Sequence, residues 1–228
     1  MEIERNKILG LLLSVGVVMV TLKGLLCIAA QDEERGCYSR EMTPVQVLLC
    51  LGSGQAAFMS ILGYMQGVEE YDVCGSSLLM TYTACSMISI LAASLLMACI
   101  TDCQNCMVYH FVWWIGGIAG MVLLVISGEE PWGAGVSLLL FGLLQEKIFS
   151  RMYGRADCHA FLICALTECA MGFRMKEYLL HMLLALFLLV VVQAIRKNIG
   201  KNGNLKKAVP FMPYITISFW LVMLSRRH

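Results

Sequence analysis

Residues 77–101, SLLMTYTACSMISILAASLLMACIT, and residues 177–196, EYLLHMLLALFLLVVVQAIR, decide the fold. Each run carries almost no charge and is long enough to cross the hydrocarbon core of a bilayer, which takes about 20 mostly apolar residues. The same window, moved outward from these two, marks further spans at 8–29, 44–66, 108–127, 132–149, 158–175 and 208–225. The sixth is short, carries Glu168 and almost touches the seventh, so a bent or re-entrant pair is also compatible with that stretch. The longest connections, 30–43 and 197–207, are too short to build a core of their own. The expectation is therefore an all-α polytopic bundle of about eight transmembrane helices, a single membrane-embedded domain over residues 1–228.

Composition agrees. The 228 residues are 59% hydrophobic and only 14% charged, with a mean hydropathy of +0.73; a soluble domain is about a quarter charged. These proportions exclude a soluble enzyme, a disordered chain and a nucleic-acid binder. The net charge of +1 provides no field to gather polyanions. Of eleven cysteines, Cys27, Cys50, Cys85, Cys99, Cys164 and Cys169 lie inside apolar runs, where they pack as small hydrophobes. Cys37, Cys74, Cys103, Cys106 and Cys158 fall near loops, and an odd total without a framework argues against a disulfide-stapled secreted domain.

Basic residues orient the bundle. Arg35 and Arg40, then Lys147, Arg151 and Arg155, then Arg196, Lys197, Lys201, Lys206 and Lys207 all fall in odd-numbered connections. The acids Glu69, Glu70, Glu129 and Glu130 fall in even-numbered ones that hold no base. The positive-inside rule places the odd connections in the cytoplasm and both termini outside. Arg5 and Lys7 pull the other way and resemble the start of a signal peptide, but Lys23 interrupts the run, so 8–29 is read as a retained span. Gly116 with Gly120, and Gly52 with Gly54, read as sites of close helix approach; Trp132 reads as an interfacial anchor.

Two aspartates end or begin spans on the same side. Asp102 follows the third span and Asp157 opens the sixth, 55 positions later. Carboxylates that meet at one lip cannot both ionise cheaply, so the pair retains a proton and offers an acid and a base together. Such a pair can activate water against a peptide carbonyl and protonate the leaving amine; it titrates as a unit. The plainer alternative is that either aspartate caps a helix start, or that Asp157 pairs with Arg155 at the surface.

The surroundings of these aspartates resemble the prepilin peptidases, membrane aspartic proteases of the GxGD type. MACITDCQNCMVYHFVWWIGGIAG (97–120) is similar to their first active-site region, an apolar helix, then Asp, a polar link and a new helix. FGLLQEKIFSRMYGRADCHAFLICALTECAMG (141–172) is similar to their second, where Gly-x-Gly-Asp is followed by Lys two residues on. VPFMPYITISF (209–219) resembles the Pro-Phe-Gly-Pro segment opening their last helix. The likeness runs from about residue 76 to the C-terminus; residues 1–75 match weakly. It implies a multi-pass protein of a bacterial cell membrane that cuts the basic leader from type IV prepilins or pseudopilins at the cytoplasmic face, without metal or cofactor. Asp102 and Asp157 would be the catalytic pair, with Gly154 as the first motif glycine and His159 in the place of the motif lysine.

The sequence departs from that pattern at Ala156 (second glycine), at Val108-Tyr109-His110 (Ile-Pro-Asn) and at Met212 (glycine between Pro210 and Pro213). The first connection holds one cysteine where N-methylating relatives often carry paired CxxC motifs, so a peptidase without methyl transfer is expected. Glu146 and Glu177 are candidate acidic contacts for a basic leader, although the topology puts Glu177 on the outer side. Alternatives from other classes are a non-catalytic binder or assembly factor on the same scaffold, a small-solute transporter using Glu168, and a zinc site from Cys103, Cys106, Cys158, His159 and His110.

Overall fold

In the computed structural model, residues 2–31, 42–66, 76–127, 134–150, 153–199 and 209–225 are described. Most of the connections that carry the charge argument, including Arg35, Arg40, Glu69, Glu70, Glu129, Glu130, Arg151, Lys201, Lys206 and Lys207, lie outside them, as do Cys37, Cys74 and Trp132. All secondary structure among the described residues is helical: α1 (Glu2–Ala29), α2 (Pro44–Gln66), α3 (Ser76–Asn105), α4 (His110–Ile126), α5 (Ala134–Phe149), α6 (Arg155–Ala170), α7 (Met175–Ile199) and α8 (Met212–Ser225). Each expected span has become a helix. Among the described residues, four helices are long and apolar enough to cross a membrane, within Asn6–Ala29, Pro44–Leu62, Leu79–Asn105 and Met175–Lys197.

The distribution of polarity suits lipid rather than water. On α7 the outward stripe is Leu180, Leu183, Phe187 and Val190, all more than half exposed, while Tyr178 and His181 are fully buried. An exposed face made of hydrocarbon is the opposite of what a water-facing helix carries. α6 is the exception that explains its own composition. It packs against α4, α5, α7 and α8, and nearly every residue from Asp157 to Ala170 is buried. Surrounded by protein, it tolerates Asp157, Thr167 and Glu168 in a way a lipid-facing helix could not.

Helix ends follow from local chemistry. Thr43 and Gln46 form a reciprocal capping box at α2, with Pro44 as its first helical residue. α6 and α7 are separate helices joined by a tight turn. Gly172 takes φ +70, Gly172 N–H donates to Cys169 O at 2.9 Å, and Phe173 N–H donates to Glu168 O at 2.9 Å. This is a Schellman closure, with Phe173 folded into the core. Glu177 then returns its carboxylate to the Arg174 N–H at 2.9 Å and starts α7.

The glycines read as packing sites divide. A Cβ at Gly116 would sit 3.3 Å from Ile163 Cδ1, and one at Gly120 3.2 Å from Leu166 Cβ, so α4 lies close on α6 along this pair. Gly54 meets the Val15 backbone, but Gly52 faces open space.

Candidate functional site: two carboxylates at one end of the bundle

Asp102 lies inside α3, in its last turn, rather than in the connection beyond it. A carboxylate is unfavourable at its own helix C-terminus. It is compensated from another helix: Asp102 Oδ2 accepts the Met212 N–H at 3.0 Å, and the Phe211 N–H also reaches the carboxylate. These are orphan donors at the start of α8, so Asp102 caps α8 from α3.

Asp157 lies in the first turn of α6, behind an N-cap that is Gly154 and not an aspartate. Gly154 takes φ +103 and ψ 155, a conformation essentially restricted to glycine. A Cβ there would come to 3.4 Å from Asp157 Oδ2, an ordinary contact, so it is the backbone conformation rather than space that calls for glycine. Asp157 is 8% exposed. Burial pushes its carboxyl up to about 7, and the Asp102 carboxylate adds to the rise.

Phe211 joins the two halves. Its backbone serves Asp102, while its ring lies 5.7 Å from Tyr153 and 6.0 Å from Phe161, on either side of Asp157 in sequence. Arg196, near the end of α7, acts electrostatically on the Cys103 thiol and so belongs to the same end. Two carboxylates remote in sequence thus share one end of the bundle and one electrostatic environment, partly exposed at Asp102 and enclosed at Asp157.

The other sequence candidates sort around this end. His159 is half-buried, with Nε2 4.0 Å from Glu146 Oε1 and its ring 6.2 Å from that of Trp113. Glu146 also acts on the thiol of Cys158, the residue that follows Asp157 in sequence. Glu177 caps α7 at the opposite end, near a cleft of about 380 Å³ lined by Gly172, Phe173, Arg174, Lys176, Glu177 and Ser225. That cleft is the length of α6 away from the aspartates and takes no part in their chemistry. Ala156 is helical and Cys106 is the only non-glycine with positive φ among the described residues, so the second motif glycine is not needed for backbone reasons. α4 starts at His110 without the motif proline, its Tyr109 N-cap making no side-chain capping bond. Cys103 and Cys106 are free and exposed, and no group of three or more His, Cys, Asp or Glu able to hold a metal forms among the described residues.

One polar contact was not legible in the sequence. Glu168 Oε1 lies 2.8 Å from His181 Nδ1, with both side chains fully buried. Its only sequence signal is an ionisable residue within each of two apolar runs.

No family model matches the chain, and neither a curated protein nor a solved structure does.

Proposed function

We propose that the chain is a membrane aspartic endopeptidase of the prepilin peptidase kind, cutting the leader of a prepilin or pseudopilin at the cytoplasmic face of a bacterial cell membrane. The observation that carries this reading is the placement of Asp102 and Asp157 at one end of the bundle, with Asp157 held buried behind Gly154. All eight helices span in this reading, and the lip bearing the aspartates faces the cytoplasm.

The chemistry needs one proton shared between the carboxyls. The ionised carboxylate takes a proton from water as the water oxygen attacks the scissile carbonyl. The protonated carboxyl then gives its proton to the leaving amine as the carbon–nitrogen bond breaks, and the pair is left with one proton again. Burial favours retention of that proton, and the helix starts beside both aspartates favour the negative charge that remains. Glu146, near His159 and Cys158 at the start of α6, is the acidic group this reading offers to a basic leader. Glu177, engaged as a cap at the far end, is not.

The test is cleavage of a leader-bearing prepilin by purified protein in lipid. Asp102→Asn and Asp157→Asn should each abolish it. Undiminished cutting by either variant would overturn the reading.

A further inference from the structure

Glu168 and His181 meet where neither side chain reaches solvent. His181 Nε2 lies 3.1 Å from the Ile215 main-chain carbonyl, an atom that can only accept, so Nε2 carries hydrogen. Glu168 Oε1 stands 2.8 Å from Nδ1, a close approach outside hydrogen-bond geometry, and neither of these atoms nor Glu168 Oε2 has a hydrogen-bond partner among the described residues. Two polar side chains buried this completely offset the cost of leaving water only through this approach and through the Nε2 bond to Ile215.

The pair also stands in a defined relation to the aspartates. Glu168 lies eleven residues after Asp157 on α6, about three turns, so both project from the same face. Ile215 lies one turn into α8 from Met212, the residue that Asp102 holds. The first turn of α8 is therefore gripped twice, at Met212 by Asp102 of α3 and at Ile215 by His181 of α7. His181 in turn holds Glu168 of α6, the helix that carries Asp157. Aromatic rings of Phe161, Tyr178 and Phe219 pack within about 6 Å of the His181 ring and fix its plane.

The geometry points to Glu168 and His181 as a positioning pair, which locks the register of α6 against α7 and α8 and thereby sets Asp157 opposite Asp102. This rests on the proteolytic reading for its consequence, but its geometric content is independent of it. Neither residue touches a substrate.

The test separates positioning from mere structure. Removing one partner leaves the other buried and unmatched, whereas replacing both by apolar residues of similar size is often neutral for stability. Glu168→Leu/His181→Phe should therefore melt close to the unmodified protein in lipid. Its kcat on a leader-bearing prepilin should nevertheless fall on the order of a hundredfold with KM unchanged, the size expected for a misplacement of about 1 Å. Glu168→Gln supplies an N–H donor for His181 Nδ1 and should restore most of the rate. In parallel, nitroxide labels on the exposed Cys103 and on Arg155→Cys, with Cys37, Cys74 and Cys106 changed to Ser, report the spacing of the two aspartate-bearing turns by pulsed electron resonance. The distance distribution should shift or broaden in Glu168→Leu and in the double variant, and stay narrow in Glu168→Gln. An unchanged distribution in Glu168→Leu overturns the proposal, as does a folded double variant that cuts at the normal rate. If the unmodified protein cuts no prepilin while the distribution still responds, the proteolytic reading fails and the positioning role stands.

Discussion

Asp102 Oδ2 accepts the Met212 N–H at 3.0 Å, across 110 positions of sequence. If the proposed proteolytic reading holds, one carboxylate has two duties, capping α8 and sharing a proton with Asp157. The two can be separated because capping needs only an acceptor oxygen, whereas acid–base work needs an ionisable group. Asp102→Asn keeps an oxygen for Met212 and should melt within a degree or two of the unmodified protein, yet lose about 10²–10⁴ in cleavage rate. Asp102→Ala should lose the same activity and in addition about 1 kcal/mol of stability, the usual worth of a helix cap. Thermal melting in lipid and cleavage measured on the same samples check both.

Asp157 gives a pH dependence of definite sign. Its carboxyl titrates near 7 in the folded protein against 3.8 for an unperturbed aspartate, so between these values the folded state binds more protons than the unfolded. Stability contributed by the neutral carboxyl is complete below about pH 4 and is lost as pH rises through about 7. Asp157→Asn, neutral at every pH, should gain stability relative to the unmodified protein as pH goes from about 5 to 8. Melting curves across that range measure the difference. Cleavage should fall on the alkaline side of about pH 7, as the pair loses the proton it shares.

Gly154 and Ala156 should respond oppositely to exchange. Gly154→Ala places a side chain at φ +103, ψ 155, at a cost of about 1–3 kcal/mol, and shifts the turn that aims Asp157. Ala156→Gly recreates the family pattern but acts on a residue already helical, so it should raise neither stability nor cleavage. Parallel melting and cleavage of the two variants is the check. A gain of activity in Ala156→Gly would show that the second glycine serves the substrate rather than the backbone.

These features differ in how far they could be read from the chain. The helices were legible as long runs almost free of charge, and for the four long enough to cross a bilayer the reason is physical, since a segment in lipid must satisfy every backbone group internally. The positions of Asp102 and Asp157 at span ends were equally plain. Their partners were not. Whether Met212 meets Asp102, or His181 meets Glu168, depends on how separate helices rotate and slide against one another, and one-dimensional spacing contains no such term. Ala156 stands where a motif glycine would permit positive φ, but of the two motif positions only Gly154 takes that conformation. Glu177 looked available to a ligand because its bond to the Arg174 N–H is a capping relation three residues long, visible as Arg-x-x-Glu only once the helix start is known.

Gly52 and Gly54 had the same reading in sequence and have different fates in the bundle. A Cβ at Gly54 would lie 2.7 Å from Val15 Cα and 3.0 Å from Val15 N, backbone atoms that cannot turn aside, so α1 and α2 would have to part. Overpacking of this kind costs about 1–3 kcal/mol. A Cβ at Gly52 meets nothing within 4 Å. Alanine is there the better helix former by about 1 kcal/mol and displaces no neighbour. Gly54→Ala should therefore lower the melting temperature in lipid, and Gly52→Ala should hold or raise it. Because α1 and α2 carry neither aspartate, the folded fraction of both variants should cleave prepilin at the unmodified rate. Equal melting of the two variants would mean that the close approach of α1 to Gly54 does not exist in the bilayer.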